Sequence, residues 1–482
     1  MSVYQSWRTA WRTPGVLRNY PPNPLYVDTV RGKASGKGSV DDPVNSLGLA
    51  QGLCLGLSDY EIKIIAPESS PLRQEVVFNT TENVTLSGVD GEPWYTFGSE
   101  EHTSGWTQNG QIFQKTLGYT SVLQVVVTSM TETVGDRDDF LFKLLQNTST
   151  PTTPAAGEYG YAGGIIYVRL PDDLDPALHS IEISRRNFGV ATTGFGLLTV
   201  NDCIARYCMI NGISCGLSTQ PAGTGFLTVN DSVIEYCANA GVGGTGRNEL
   251  IICNNVRAWR ISNDGFGQHA PVGGAGKMIL NGCNGSYNGD QAGQSAQGAS
   301  NHEFTKMVIN GGTFNFNVSG GMVAIENAQC DIHGDTKYGP VVMDGNMRLG
   351  NTAGTIASQA GCAWLNYATG IVTGDVTVKT VKVSAFAVGQ MPSWKVSQRS
   401  TQSTTHCRIF CEVKMTVCRL CQSEPMVMTK PETDGSTYYY VHYVECYGCG
   451  VGTKRFSEQE TNVENAIHNS LFQWERLNSV DL

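Results

Sequence analysis

The sequence predicts an all-β chain wound as a right-handed parallel β-helix, a solenoid of ~29-residue coils, with a small cysteine-rich domain behind it. Three observations predict it. First, the chain repeats itself: LTVND occupies 198–202 and returns at 227–231, an offset of 29 residues. Tyr207-Cys208 returns as Tyr236-Cys237, Gly212 as Gly241, and Leu280-Asn281-Gly282 as Ile309-Asn310-Gly311, all at the same offset. Blades of a WD-type propeller need about 40 residues each, so this period suits a solenoid coil better. Second, 56 Gly stand against only 16% charged residues, and the middle of the chain is rich in Asn, Thr, Ser and Val. That mixture reads as short strands between turns. Third, 482 residues exceed one ordinary compact core, whereas a solenoid grows in one dimension because each coil touches only its neighbours.

The elements follow in order. Residues 1–25 carry Trp7, Trp11 and Tyr20 among Pro14, Pro21, Pro22 and Pro24. Proline at that density resists regular structure, so this segment reads as an attachment arm to another protein or as a disordered lead-in. Residues 26–50 run strand, glycine-rich turn, then a short helix beginning near Asp42-Pro43, a good start signal. Such a helix is expected to plug the open end of the solenoid. The runs EIKIIAP, EVVFNT, NVTLSGV, SVLQVVVTSM and GGIIYVRLP are strands, and residues 100–170 form a lateral excursion with hairpins. Coils fill the rest of 26–385. Stacked coils place Val200 over Val229, Cys208 over Cys237 and Asn201 over Asn230, so apolar columns fill the core and Asn amides bond one another. Residues 386–406 are a Ser/Thr-rich linker, and 407–482 form the small C-terminal unit.

Charge narrows the function. The net charge is −10, the predicted pI is 5.3, and no Lys/Arg run exists, which argues against nucleic acid as a partner. No segment of 18 or more apolar residues exists, so no membrane insertion is expected. The N-terminus has no apolar signal region, so export by a secretory signal is not expected. The 15 Cys are an odd number; in a reducing cytosol the scattered ones act as small buried hydrophobes. Outside it, neighbours such as Cys208 and Cys237 can oxidise.

YVDTVRGKASGKGSVDDPVNSL, the LTVND coils and GGIIYVRLPDDLDP together resemble the pectate-lyase-like superfamily of parallel β-helices, over roughly residues 26–385. That superfamily includes polysaccharide lyases, glycoside hydrolases and phage tailspikes. The missing signal segment, the aromatic N-terminal arm and the appended C-terminal unit turn the resemblance toward the phage branch. It implies a homotrimeric virion spike, joined to other virion proteins through residues 1–25 and facing host surface polysaccharide. The C-terminal unit is similar to the phage restriction-alleviation zinc-ribbon family. CRLC at 418–421 and CYGC at 446–449 set two Cys-x2-Cys knuckles 24 residues apart, and Cys418, Cys421, Cys446 and Cys449 suit a tetrahedral structural Zn²⁺. Disulfides are the alternative, and Cys407 and Cys411 stand outside the four.

The richest cluster for chemistry is NDGFGQH at 263–269, then Asp290, then NHE at 301–303. Asp264, His269, Asp290, His302 and Glu303 recur at roughly one-coil intervals and so are expected to line one groove. Asp264, Asp290 or Glu303 would act as acid or base, and His269 or His302 would orient substrate. Asn-Asp-Gly is also a plain turn sequence. Asp202 and Asp231 repeat with LTVND and read as turn residues, and His333 reads as a surface or packed histidine. Trp259, Tyr287, Phe314, Phe316 and Trp364 read as coil-stacking residues that could also face sugar rings.

The reading that ranks first is a phage virion spike that binds, and in one form cleaves, host polysaccharide as a hydrolase or lyase. A non-catalytic structural spike hardened by disulfides ranks second, and an intracellular anti-restriction factor third.

Overall fold

The computed structural model describes residues 23–383 apart from 58, 80, 135–136, 195, 217–224, 245–249, 270–275, 290–295, 335–336, 344–345, 347–361, 366–367, 369 and 379–380. Beyond 383 it describes the strand segments 393–394, 425–433, 438–446 and 454–458.

Three faces make each coil. In one coil they are Leu197–Asn201, Cys203–Arg206 and Asn211–Cys215. In the next they are Phe226–Asn230, Val233–Glu235 and Ala240–Gly244, and then Leu250–Asn254, Arg257–Trp259 and Asp264–Gln268. Every strand pairs in parallel with its counterpart one coil on. Lys277–Ser286 and Lys306–Thr313 cross the first two faces as single strands, with Ala299–His302 and Met322–Ile325 on the third. Among the described residues the first two faces form one 17-stranded sheet and the third a 9-stranded sheet. This is the parallel β-helix that the repeat predicts.

Apolar columns explain the winding. Leu86, Val200, Val229, Cys253, Leu280, Ile309 and Ile332 are successive register partners, and all are buried. Alternate residues along each first-face strand point inward, giving the buried–intermediate alternation of Phe226–Asn230. Truncating one such side chain opens a cavity between two coils, at about 2–5 kcal/mol for Leu or Ile to Ala.

The corners are held by side-chain ladders. Asn230 Nδ2 donates to Asn201 Oδ1 at 2.7 Å, Asn254 to Asn230 at 2.7 Å, Asn281 to Asn254 at 2.8 Å and Asn310 to Asn281 at 2.8 Å. The residue after each ladder Asn has positive φ: Asp202 at 56°, Asp231 at 47°, Asn255 at 53°, Gly282 at 60° and Gly311 at 65°. Asp, Asn and Gly tolerate that left-handed conformation best, so Asp202 and Asp231 are turn residues. At the second corner the left-handed residues are bulky: Tyr207, Tyr236, Arg260, Tyr287 and Phe316. Stacking offsets the strain, with ring centroids 5.8 Å apart for Tyr207–Tyr236 and 5.1 Å for Tyr287–Phe316.

Four expectations are adjusted by the structure. The coil is not a constant 29 residues: ladder offsets are 29, 24, 27 and 29. Strand lengths hold while the connection from third face to first face shortens, running from Cys215 to Phe226 in one coil and from Gly244 to Leu250 in the next. The helix spans Leu47–Cys54, capped by the Ser46 hydroxyl, which accepts from Leu49 N at 3.2 Å. Pro43 and Val44 are held extended instead, because Val44 N donates to Tyr26 O and Asp28 N to Val44 O. The helix buries Leu47, Ala50 and Cys54 against Leu25 and Val27 of the first coil. Ser393–Trp394 pairs in parallel with Ile371–Val372, so coil pairing reaches into the expected linker. The described cysteines, Cys54, Cys203, Cys208, Cys215, Cys237, Cys253, Cys283 and Cys330, are all buried and free. Burial pushes the thiol pKa of Cys54 up to about 12, which disfavours the thiolate that oxidation needs.

The excursion forms two mainly antiparallel sheets built from strands between Ser99 and Ser184, inserted between Trp94–Phe97 and Phe188–Thr192. Its own core includes Val125, Val127, Tyr159, Ile166, Val168 and Ile183. It docks on the second-corner ladder: Phe142 N donates to Tyr236 Oη at 2.8 Å, and Glu132 pairs with the buried Arg260. Pro425–Thr433, Tyr438–Cys446 and Lys454–Glu458 form a three-stranded antiparallel sheet. Residues 1–22, Cys407, Cys411, Cys418, Cys421 and Cys449 lie outside the described residues, as do the side chains of Cys446 and Trp364. Among the described residues no helix is long and apolar enough to cross a membrane.

Candidate functional site

On the third face mostly small residues alternate with the core-filling ones. Val77, Ala191, Ser214, Gly243, Gly267 and Ser300 are register partners down successive strands. The alternate partners Val190, Ile213, Val242 and Phe266 fill the core. Ala191, Ser214 and Ser300 of this column are fully buried, and where it reaches Gly243 and Gly267 it leaves a trough. It encloses a cavity of about 390 Å³, with Glu75 at one end, Asn187, Asn211 and Asn239 along it, and Asp264 and His269 at the other end. A Cβ on Gly243 would lie 2.1 Å from Asn211 Nδ2, so the floor must be glycine there for the Asn211 amide to lie flat. A Cβ on Gly267 would meet nothing closer than 3.4 Å.

Asn211 and Asp264 occupy equivalent positions, through the register Asn211–Ala240–Asp264. Asn211 Oδ1 accepts from Ala240 N at 3.1 Å, and its Nδ2 donates to Ser214 Oγ at 3.2 Å. Asp264 repeats the backbone bond, its Oδ1 accepting from Gln297 N at 3.0 Å, but its Oδ2 accepts from Ser300 Oγ of the next coil at 2.6 Å. A neutral amide thus serves the shared backbone bond at this position, while a buried carboxyl carries a desolvation cost. Burial pushes the Asp264 pKa up to about 6, against the opposing pull of Ser300, Gln297 and His269.

His269 and His302 directly follow the register partners Gln268 and Asn301, so they project from neighbouring coils at the same level. Their rings stack with centroids 4.1 Å apart and planes 28° apart. His269 Nδ1 lies 3.9 Å from Glu303 Oε1, and the His269 side chain is 45% exposed. Burial pushes the His302 pKa down to about 3, and His269 pushes the same way. Glu303 sits at a corner with φ 57°. Ligand atoms of Asp264, His269 and His302 all lie within 4.8 Å of one another.

Of the sequence candidates, Asp264, His269, His302 and Glu303 thus meet at one end of the trough. Asp290 lies outside the described residues. His333 is packed, its Nδ1 2.7 Å from Thr373 Oγ1. Trp259, Tyr287 and Phe314 are buried stacking residues and do not face the trough. Ser300, Gln297, Glu75 and the asparagines of the trough are not apparent from motifs. Their one signal is the register, which the 24-residue coil hides between Ala240 and Asp264.

No family model matches the sequence, and no curated protein matches it. Several solved structures are similar to the chain. A glycoside hydrolase is 8% identical, with a TM-score of 0.43 over 82% of this chain and 99% of that one. Pectate lyase Pel9A is 12% identical, with a TM-score of 0.35 over 80% of this chain and 82% of that one. The enzymatically active domain of bacteriophage CBA120 tailspike protein 2 is 10% identical, with a TM-score of 0.33 over 92% of this chain and 71% of that one.

Proposed function

We propose that the third-face trough binds a polysaccharide strand lengthwise and that the cluster of Asp264, His269, His302 and Glu303 at its end cleaves it. In this reading the chain is a bacteriophage virion spike, trimeric and attached through residues 1–25, acting on host surface glycan. The observation that carries the proposal is the trough lined by Asn187, Asn211, Asn239, Gly243 and Gly267 that ends at a buried carboxyl and two stacked imidazoles. A trough that repeats once per coil suits a linear polymer with a repeating unit. The Asn amides along it donate and accept at once, as sugar hydroxyls do. The C-terminal zinc of Cys418, Cys421, Cys446 and Cys449 is a proposal on spacing, tested by the zinc content of the purified chain.

The test is to incubate the full chain with host surface polysaccharide and follow polymer length, new reducing ends and the ultraviolet absorbance of unsaturated ends. Shortening with new absorbance means elimination, and shortening without it means hydrolysis. Asp264→Asn keeps the bond from Gln297 N, as Asn211 keeps that from Ala240 N, and can donate to Ser300 Oγ; it is expected to slow cleavage by about 10²–10⁴-fold with a melting temperature that changes little. A folded wild-type chain that binds glycan without shortening it overturns the cleavage; one that does not retain glycan overturns the reading.

A further inference from the structure

We propose that Asp264, His269 and His302 hold a divalent transition-metal ion at the head of the trough, with Glu303 as a positioning residue behind His269. The proposal deepens the glycan reading, but its own support is the side-chain geometry.

Three donor groups of the right kind converge. Their ligand atoms lie within 4.8 Å of one another. Tetrahedral bonds of about 2.0–2.2 Å to nitrogen and oxygen require ligand atoms about 3.4 Å apart, so the three close by at most about 1.4 Å on binding. Two imidazoles and one carboxylate form a donor set that suits zinc, iron(II) or cobalt. Calcium and magnesium prefer all-oxygen cages. Three protein ligands also leave coordination positions open to the trough.

The ligands are already braced. Asp264 is fixed through both oxygens by Gln297 N and Ser300 Oγ. Parallel register holds His269 and His302 at the same level on adjacent strands. Glu303 Oε1 lies 3.9 Å from His269 Nδ1, one small side-chain movement from the bond by which a carboxylate orients a ligating imidazole. Charge points the same way. Glu75 and Asp264 line the trough, Glu303 stands beside it, and none of the described lining residues is Lys or Arg. A cation there offsets the repulsion that an acidic glycan would meet and offers open positions to its carboxylate or hydroxyl oxygens.

The experiment uses the full-length chain stripped with chelator and titrated with Co²⁺, read by visible absorption and by bound metal per chain. Wild type is expected to take up one equivalent with ligand-field bands that lack thiolate charge transfer, which separates it from cysteine-bound cobalt. His269→Gln, at a half-exposed side chain, should lose that equivalent, and Glu303→Gln should weaken it by about 10–100-fold. Equal uptake by wild type and His269→Gln overturns the site, as does a wild type whose every Co²⁺ band shows thiolate charge transfer. Metal binding with no glycan retained would leave the ion standing and sink the glycan reading. Glycan cleavage by a chain that takes up no such equivalent would do the reverse.

Discussion

The first-face corner and the third face share one winding but treat their residues differently. At the corner, Asn201, Asn230, Asn254, Asn281 and Asn310 repeat one side chain and one bond in coil after coil. On the third face the register is just as regular, yet its partners change from Asn211 to Ala240 to Asp264. A repeated residue is explained by a repeated structural task. A changed residue at a constant register, when the new group is costlier to bury than the old, points to a task outside the fold.

Mutations can break or sharpen this contrast. The largest effect on stability is expected from Phe266→Ala, which removes the buried ring two residues along the strand from Asp264 that packs against Phe314 with centroids 6.4 Å apart. It should cost about 3–5 kcal/mol in chemical denaturation and lower glycan binding as well, since fold and site share that layer. Asn254→Ala breaks two rungs of the corner ladder and should cost about 1–3 kcal/mol. Cleavage by the folded fraction should stay at the wild-type rate, and a rate that falls would erase the contrast. The smallest effect comes from a matched pair of glycines on the floor. Gly243→Ala should destabilise by about 1 kcal/mol or more because its methyl displaces the Asn211 amide. Gly267→Ala should stay within about 0.5 kcal/mol of wild type while weakening glycan retention on an affinity gel, since its methyl enters open trough. Equal melting temperatures for the two variants would show that the trough floor is not set by Asn211.

Much of the fold was legible in the residues. The repeat of LTVND at offset 29 anticipated the register Val200–Val229 and the bond between Asn201 and Asn230, because parallel stacking brings identical residues together. The helix start was misplaced because Asp42-Pro43 satisfies the local rule, whereas Val44 is claimed by backbone bonds to Tyr26 and Asp28. The site was legible in part. Asp264, His269, His302 and Glu303 stood out as chemistry-bearing types, but nothing local tied Ser300 or Gln297 to Asp264, or Glu75 to the same trough.

By itself the sequence determined the winding, the apolar columns and the corner residues, since each follows from short-range pattern and from what stacks on its own copy. Only the tertiary structure decided where the insertion docks, which asparagines line the trough and that two histidines from neighbouring coils share one level. Those outcomes depend on coil lengths of 24, 27 and 29 residues. The connections that set these lengths carry no repeat of their own, so the register they produce shows only once the strands are paired.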